Sequence, residues 1–173
     1  MRVIARVLVA VVVMAVMAAG CSQGIAVPKA FCDVPVRPDS LSPLLPSEGE
    51  VKTSRSELHD VICNLSVGGS QTLNVRIAKI DKQLPPEDWA NAQAEFTRGA
   101  RRTTSFPGTA VIGSNGALVT ANCGKPSAYI LLDVAFTGKR AENSEVGAQR
   151  LQRFLEDFVP SVTQKLGCTG QST

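Results

Sequence analysis

Residues 109–136 read TAVIGSNGALVTANCGKPSAYILLDVAF, and this stretch decides the fold. Two short apolar runs, Thr109 to Ile112 and Ala117 to Cys123, flank the polar break Gly113-Ser114-Asn115-Gly116. Asn and Gly both tolerate positive φ, so Asn115-Gly116 predicts a hairpin turn. A third run, Ala128 to Phe136, places Ile130, Leu132, Val134 and Phe136 on one face with Tyr129 and Leu131 on the other. That is the pattern of a central strand covered on both sides. An antiparallel sheet is therefore expected at the centre of the molecule.

Working upstream, Trp89, Ala92, Phe96 and Ala100 recur at three- and four-residue spacing, with Pro86 suited to the first turn of an amphipathic helix. Before it, Val61, Cys63, Leu65 and Val67 alternate with more polar residues, and Leu73, Val75 and Ile77 do the same beyond Gly68-Gly69, which predicts a second hairpin. The segment from Phe31 to Lys52 carries Pro35, Pro38, Pro43 and Pro46 and is expected to be mostly irregular, with one helical turn near Asp39-Ser40-Leu41. Downstream, Leu151, Phe154, Leu155, Phe158, Val162 and Leu166 form an apolar stripe on a helix from about Asn143 to Leu166. Asn143 or Ser144 can cap its start, Pro160 should kink or split it, and Gly167 should end it. The order of two strands, a helix, three strands and a helix lacks the alternation of a Rossmann-type sheet. It predicts an α+β fold, an antiparallel sheet of about five strands with two main helices packed on it, as a single domain over residues 31–168 with a tail at 169–173.

The start of the chain is of another kind. Arg2 and Arg6 precede a run from Val7 to Gly20 that contains no polar residue and stops at Cys21. A positive start, an apolar stretch of about 7 to 15 residues and a small-residue cleavage site make a secretory signal peptide. The run is 14 residues, short of the roughly 20 that a membrane-spanning helix needs. Ala18-Ala19-Gly20-Cys21 resembles the lipobox of bacterial lipoproteins. The resemblance implies that residues 1–20 are removed and that Cys21 carries a diacylglycerol on its thiol, anchoring the protein to the extracytoplasmic face of the cell membrane. Cysteine arithmetic agrees, since the chain has five and an odd cysteine in a secreted protein needs an explanation. Residues 21–30 then read as a membrane tether, uncharged until Lys29 and broken by Gly24 and Pro28. At about 3.3 Å per residue it spans at most roughly 30 Å.

Removal of Arg2 and Arg6 leaves 16 Lys plus Arg against 15 Asp plus Glu, so the mature charge is near +1. Nucleic-acid binding, which relies on strong clustered positive charge, is not expected. Cys32, Cys63, Cys123 and Cys168 form an even set for an oxidising compartment and allow three pairings. Cys32–Cys63 would pin the Pro-rich arm to the sheet, and Cys123–Cys168 would staple the last helix to it. A metal site is not expected, because no two of these cysteines stand two to four residues apart and the chain has one histidine. That histidine, His59, lies beside Asp60 at the edge of a strand, where a solvated surface side chain is expected rather than part of a triad. Carboxylates such as Glu87, Asp88, Asp133 and Glu142 leave open a pair arranged in space for glycoside hydrolysis. Arg98, Arg101 and Arg102 are the densest basic cluster, a candidate contact for anionic lipid head groups or cell-wall polyanions. The plainer reading is a solvated helix end.

The lipobox, then Cys32 followed by an arm with Leu41, Leu44 and Leu45, then Cys63 entering a strand, resembles the small actinobacterial lipoproteins grouped under a domain of unknown function. Some comparable lipoproteins are similar to the PsbP and Mog1 type of α+β sheet. The resemblance implies no activity and no cofactor. The expected function is a non-enzymatic binding or interaction module of the cell envelope, its partner a membrane-proximal protein, lipid or cell-wall component. The alternatives are a carrier with an apolar cavity for a lipid or other hydrophobic ligand and, third, a cell-wall hydrolase.

Overall fold

The computed structural model describes residues 24–124, 128–138, 140–141 and 143–168. The expected signal peptide at 1–20, Cys21, the first residues of the expected tether, Glu142 and the expected tail at 169–173 lie outside the described residues. The fold is α+β. Nine strands are described: β1 Ala30–Phe31, β2 Val34–Pro35, β3 Val51–Glu57, β4 Val61–Val67, β5 Ser70–Ile80, β6 Ala100–Arg102, β7 Gly108–Ile112, β8 Gly116–Asn122 and β9 Tyr129–Phe136. The helices are α1 Pro38–Leu41, α2 Pro86–Glu95 and α3 Glu145–Lys165. β1 and β2 form a small hairpin, and the other seven make one antiparallel sheet in the order β3-β4-β5-β9-β8-β7-β6. The expected five strands are thus seven in the main sheet, because β3 and β6 close its two edges.

Topology follows from the chain order. β3, β4 and β5 meander, α2 carries the chain to the far edge, and β6 to β9 meander back until β9 pairs with β5 from Leu73↔Phe136 to Ile80↔Tyr129. Residues paired in register share a face. Cys63, Leu65, Leu73, Val75, Leu132, Val134, Val119 and Ile112 all point to one side and are fully buried there. α3 lies on that side, with Leu151, Phe154, Leu155, Phe158 and Val159 fully buried. The arm completes the layer: Phe31 packs its ring 5.6 Å from Phe158, Phe158 stacks at 5.0 Å on Phe154, and Leu41, Leu44 and Leu45 are buried beside them. The Pro-rich segment therefore folds as a hairpin, the helical turn expected at Asp39-Ser40-Leu41, here α1, and a 3-10 turn at Ser42–Leu44; the hairpin and the 3-10 turn stand where irregular structure was expected.

α3 begins at Ser144, whose hydroxyl accepts from the Gly147 N–H at 3.1 Å, and it runs through Pro160 without a break. The expected split is absent. Proline removes one amide donor, but Pro160 is exposed while Phe158, Val159 and Val162 hold the helix to the core on both sides of it. Its end is a Schellman arrangement, Cys168 N–H to Thr163 O at 2.8 Å and Gly167 N–H to Gln164 O, with Gly167 at φ +71°.

The second face of the sheet is half covered. α2 seats Trp89 and Ala92 against Val111, with Leu84, Phe96 and Leu118 around them. This helix ends at Glu95, short of the expected Ala100, because Phe96 turns to extended backbone and reaches the β7–β8 turn. That turn is centred on Ser114-Asn115, closed by the Gly113 N–H to Gly116 O bond at 2.9 Å, and Asn115 and Gly116 do not take the positive φ expected of them. Gly116 is needed for a different reason: a Cβ there would lie 2.7 Å from the Phe96 ring and 2.8 Å from Val134 O.

Candidate functional site

The chain leaves the undescribed N-terminal segment at Gly24, and residues 24–30 do not stand off the domain as a free tether. Ile25 and Val27 are half-buried against the main core, and Lys29 O accepts from the Val36 N–H at 3.0 Å. Gly24, Ile25 and Ala26 border a surface cleft together with Gly49, Glu50 and Val51 at the start of β3. β3 runs away from that pole for seven residues, about 20 Å at 3.3 Å per step. At its far end the β3–β4 turn carries Leu58, 92% exposed, and the exposed His59.

Two disulfides fix the layer beneath. Cys32 is bonded to Cys63, Cα atoms 5.6 Å apart, and Cys123 to Cys168 at 4.0 Å. Cys32 and Asp33 form the β1–β2 turn with φ of 57° and 56°, a conformation ordinarily taken by Gly or Asn. The disulfide holds one of these residues, and Asp33 is held by Lys165 Nζ donating to its carbonyl at 2.9 Å and by Arg55 Nε 3.4 Å from its carboxylate. The arm is locked to α3 a second time at Asp157. Its carboxylate accepts from the Arg37 N–H at 2.8 Å, Arg37 Nε at 2.8 Å and Ser40 Oγ at 2.7 Å. Burial alone would raise this carboxyl, and the three donors outweigh it and hold it below the usual range.

The three arginines are not one patch. The residues after α2 form a turn and then a strand rather than a helix end, and adjacent strand positions face opposite sides. Arg98 takes φ 57° in the turn and donates to Asn143 Oδ1 at 3.2 Å. Arg101 lies 5.5 Å over the Trp89 ring on the α2 side. Arg102, on the α3 side and 15% exposed, donates to both Glu145 oxygens at 2.6 and 3.0 Å. Its hydrogen bonds lower the Glu145 carboxyl and raise the guanidinium.

The open half of the second face is the other place where groups converge. Paired positions there are Ile62 with Arg76, Asn64 with Asn74, and Arg76 with Asp133. Asn74 Nδ2 donates to Asn64 Oδ1 at 2.7 Å, and Arg76 lies 3.6 Å from Asp60 and 3.7 Å from Asp133. Between this face and α2 runs a groove. One section, about 310 Å³, is lined by Arg76, Leu118, Leu131 and Asp133 of the sheet and by Leu84, Asp88 and Glu95 on the α2 side. A second, about 470 Å³, shares Glu95, Phe96 and Asp133 with it and continues along β9 to Thr137. Two carboxylates singled out in the sequence, Asp88 and Asp133, are thereby brought to one groove, and Glu95 joins them. Glu95 carried no signal beyond its i+7 spacing from Asp88 on the same helix face.

No group of His, Cys, Asp and Glu among the described residues is arranged to hold a metal ion, and no described helix is long and apolar enough to cross a membrane. Compared with protein-family models, with curated proteins and with solved structures, the chain finds no match.

Proposed function

We propose that the protein is a lipid-anchored, extracytoplasmic interaction module of the cell envelope, held to the membrane through Cys21 and acting by binding rather than by catalysis. The observation that carries this reading is the docking of Ile25 and Val27 against the core beside Val51. A signal-like start, an acceptor cysteine and, three residues later, a chain already packed on its domain make an anchor with almost no slack. The domain sits with its Gly49–Val51 pole at the bilayer, its open sheet face to the side and Leu58 pointing away. The two disulfides suit an oxidising compartment. The likeness to small actinobacterial lipoproteins and to the PsbP and Mog1 sheet belongs to this proposal.

A carrier would need an apolar cavity, and the space between the sheet and α3 is filled by Phe31, Phe136, Phe154, Phe158 and their neighbours. A hydrolase would need a carboxyl withdrawn from water in a closed cleft; Asp133 is 46% exposed in an open groove and lies 3.7 Å from Arg76. The test is Cys21→Ser in the full chain, expressed in a bacterium that processes lipoproteins. Loss of palmitate labelling together with release from the membrane fraction is expected. Continued labelling would overturn the anchor.

A further inference from the structure

The geometry points to the groove between α2 and β9 as the docking site for an extended, basic polypeptide segment of a partner protein, its lysines or arginines meeting Asp88, Glu95 and Asp133 while its apolar side chains lie on Leu118 and Leu131. The groove is open along its length and follows β9 from Leu131 to Thr137, about 20 Å, the length of six extended residues. Asp88 and Glu95 stand two helical turns apart on the α2 wall, about 10 Å, and Asp133 lies on the sheet beside Leu118, its register partner. The one cation lining either described section, Arg76, is already shared between Asp60 and Asp133. The α2 wall is thus acidic and the floor carries Leu118 and Leu131 beside the Arg76–Asp133 pair, which selects a cationic, partly apolar chain over a polyanion. An enclosed pocket would suit a small amine; an open trough with spaced carboxylates suits a chain with repeated cations.

This inference rests on the reading of the protein as a binding module but not on its anchor, so the two are tested separately. The chain has one tryptophan, and Trp89 packs with Leu84, Phe96 and Leu118, the residues that line the groove. Its emission reports occupancy. The probe is the pentapeptide Lys-Leu-Lys-Leu-Lys, blocked at both ends and fluorescein-labelled, with Glu-Leu-Glu-Leu-Glu as counterpart. Both are titrated by anisotropy against the full chain in neutral detergent, and the unlabelled peptides by Trp89 emission. Saturable binding of the lysine peptide alone is expected, with a change in Trp89 emission, and it should weaken as salt rises from about 50 to about 300 mM. Asp88→Asn with Glu95→Gln should raise its Kd at least about tenfold, whereas Glu48→Gln with Asp81→Asn, the same charge change elsewhere, should leave it unaltered. Absence of binding, equal binding of the acidic peptide, or equal weakening by the two double variants would overturn the proposal, whatever the outcome at Cys21.

Discussion

Asp157 shows how much one side chain can decide. It is 13% exposed, receives three hydrogen bonds from the arm, and joins α3 to the α1 segment across 120 residues of chain. Loss of a charged acceptor under these donors costs about 1.5–3 kcal/mol, so Asp157→Ala should lower the denaturant midpoint by a corresponding amount, with the m-value unchanged. The sign of the pH effect follows from the depressed carboxyl. Its stabilisation is fully present above the unfolded value, about 3.9, and is lost as pH falls through the lower folded one. Acid titrations of wild type and Asp157→Asn should therefore converge below about pH 4; curves that stay parallel would contradict this role. Gly116 is the second such position. Gly116→Ala places a methyl group against the Phe96 ring and Val134 O, and about 1–3 kcal/mol of destabilisation is expected by thermal unfolding. The sequence marked Gly116 through a hairpin rule, and the structure uses it for close approach.

At the scale of elements, what was legible was whatever buries one face. β4, β5, β8, β9 and α3 alternate or repeat in step with the core, and their registers follow from that. β3 reads Val-Lys-Thr-Ser-Arg-Ser-Glu and is exposed beyond Val51, so an edge strand of this kind leaves no apolar period to find. β6 is three residues, two of them arginines facing opposite sides. The docked segment did carry a faint signal, the alternation of Ile25 and Val27, outweighed by Gly24 and Pro28. Each disulfide ties a peripheral element to the sheet across 31 and 45 residues. In the chain-entropy model each contributes roughly 3.5–4 kcal/mol. Cys123→Ala with Cys168→Ala should lower the melting temperature and speed hydrogen exchange at the C-terminal turns of α3 more than in β5. Non-reducing peptide mapping checks the connectivity, and a Cys32–Cys168 peptide would contradict it.

For the whole molecule, the arrangement is polar in the geometric sense: one pole bears the chain that leads to Cys21, the other bears Leu58, and the groove opens on the side between them. The groove was not legible in the sequence because its carboxylates come from α2 and β9, 38 residues apart between Glu95 and Asp133, and only the topology brings them together. The proposed anchor, by contrast, rests on four adjacent residues, Ala18 to Cys21. The most direct measurement is the mass of the N-terminal peptide of the protein recovered from the membranes of a producing bacterium. A chain that begins at Cys21 and carries diacylglycerol on its sulfur is expected. An N-terminus at Met1, or an unmodified peptide beginning at any other residue, would contradict it.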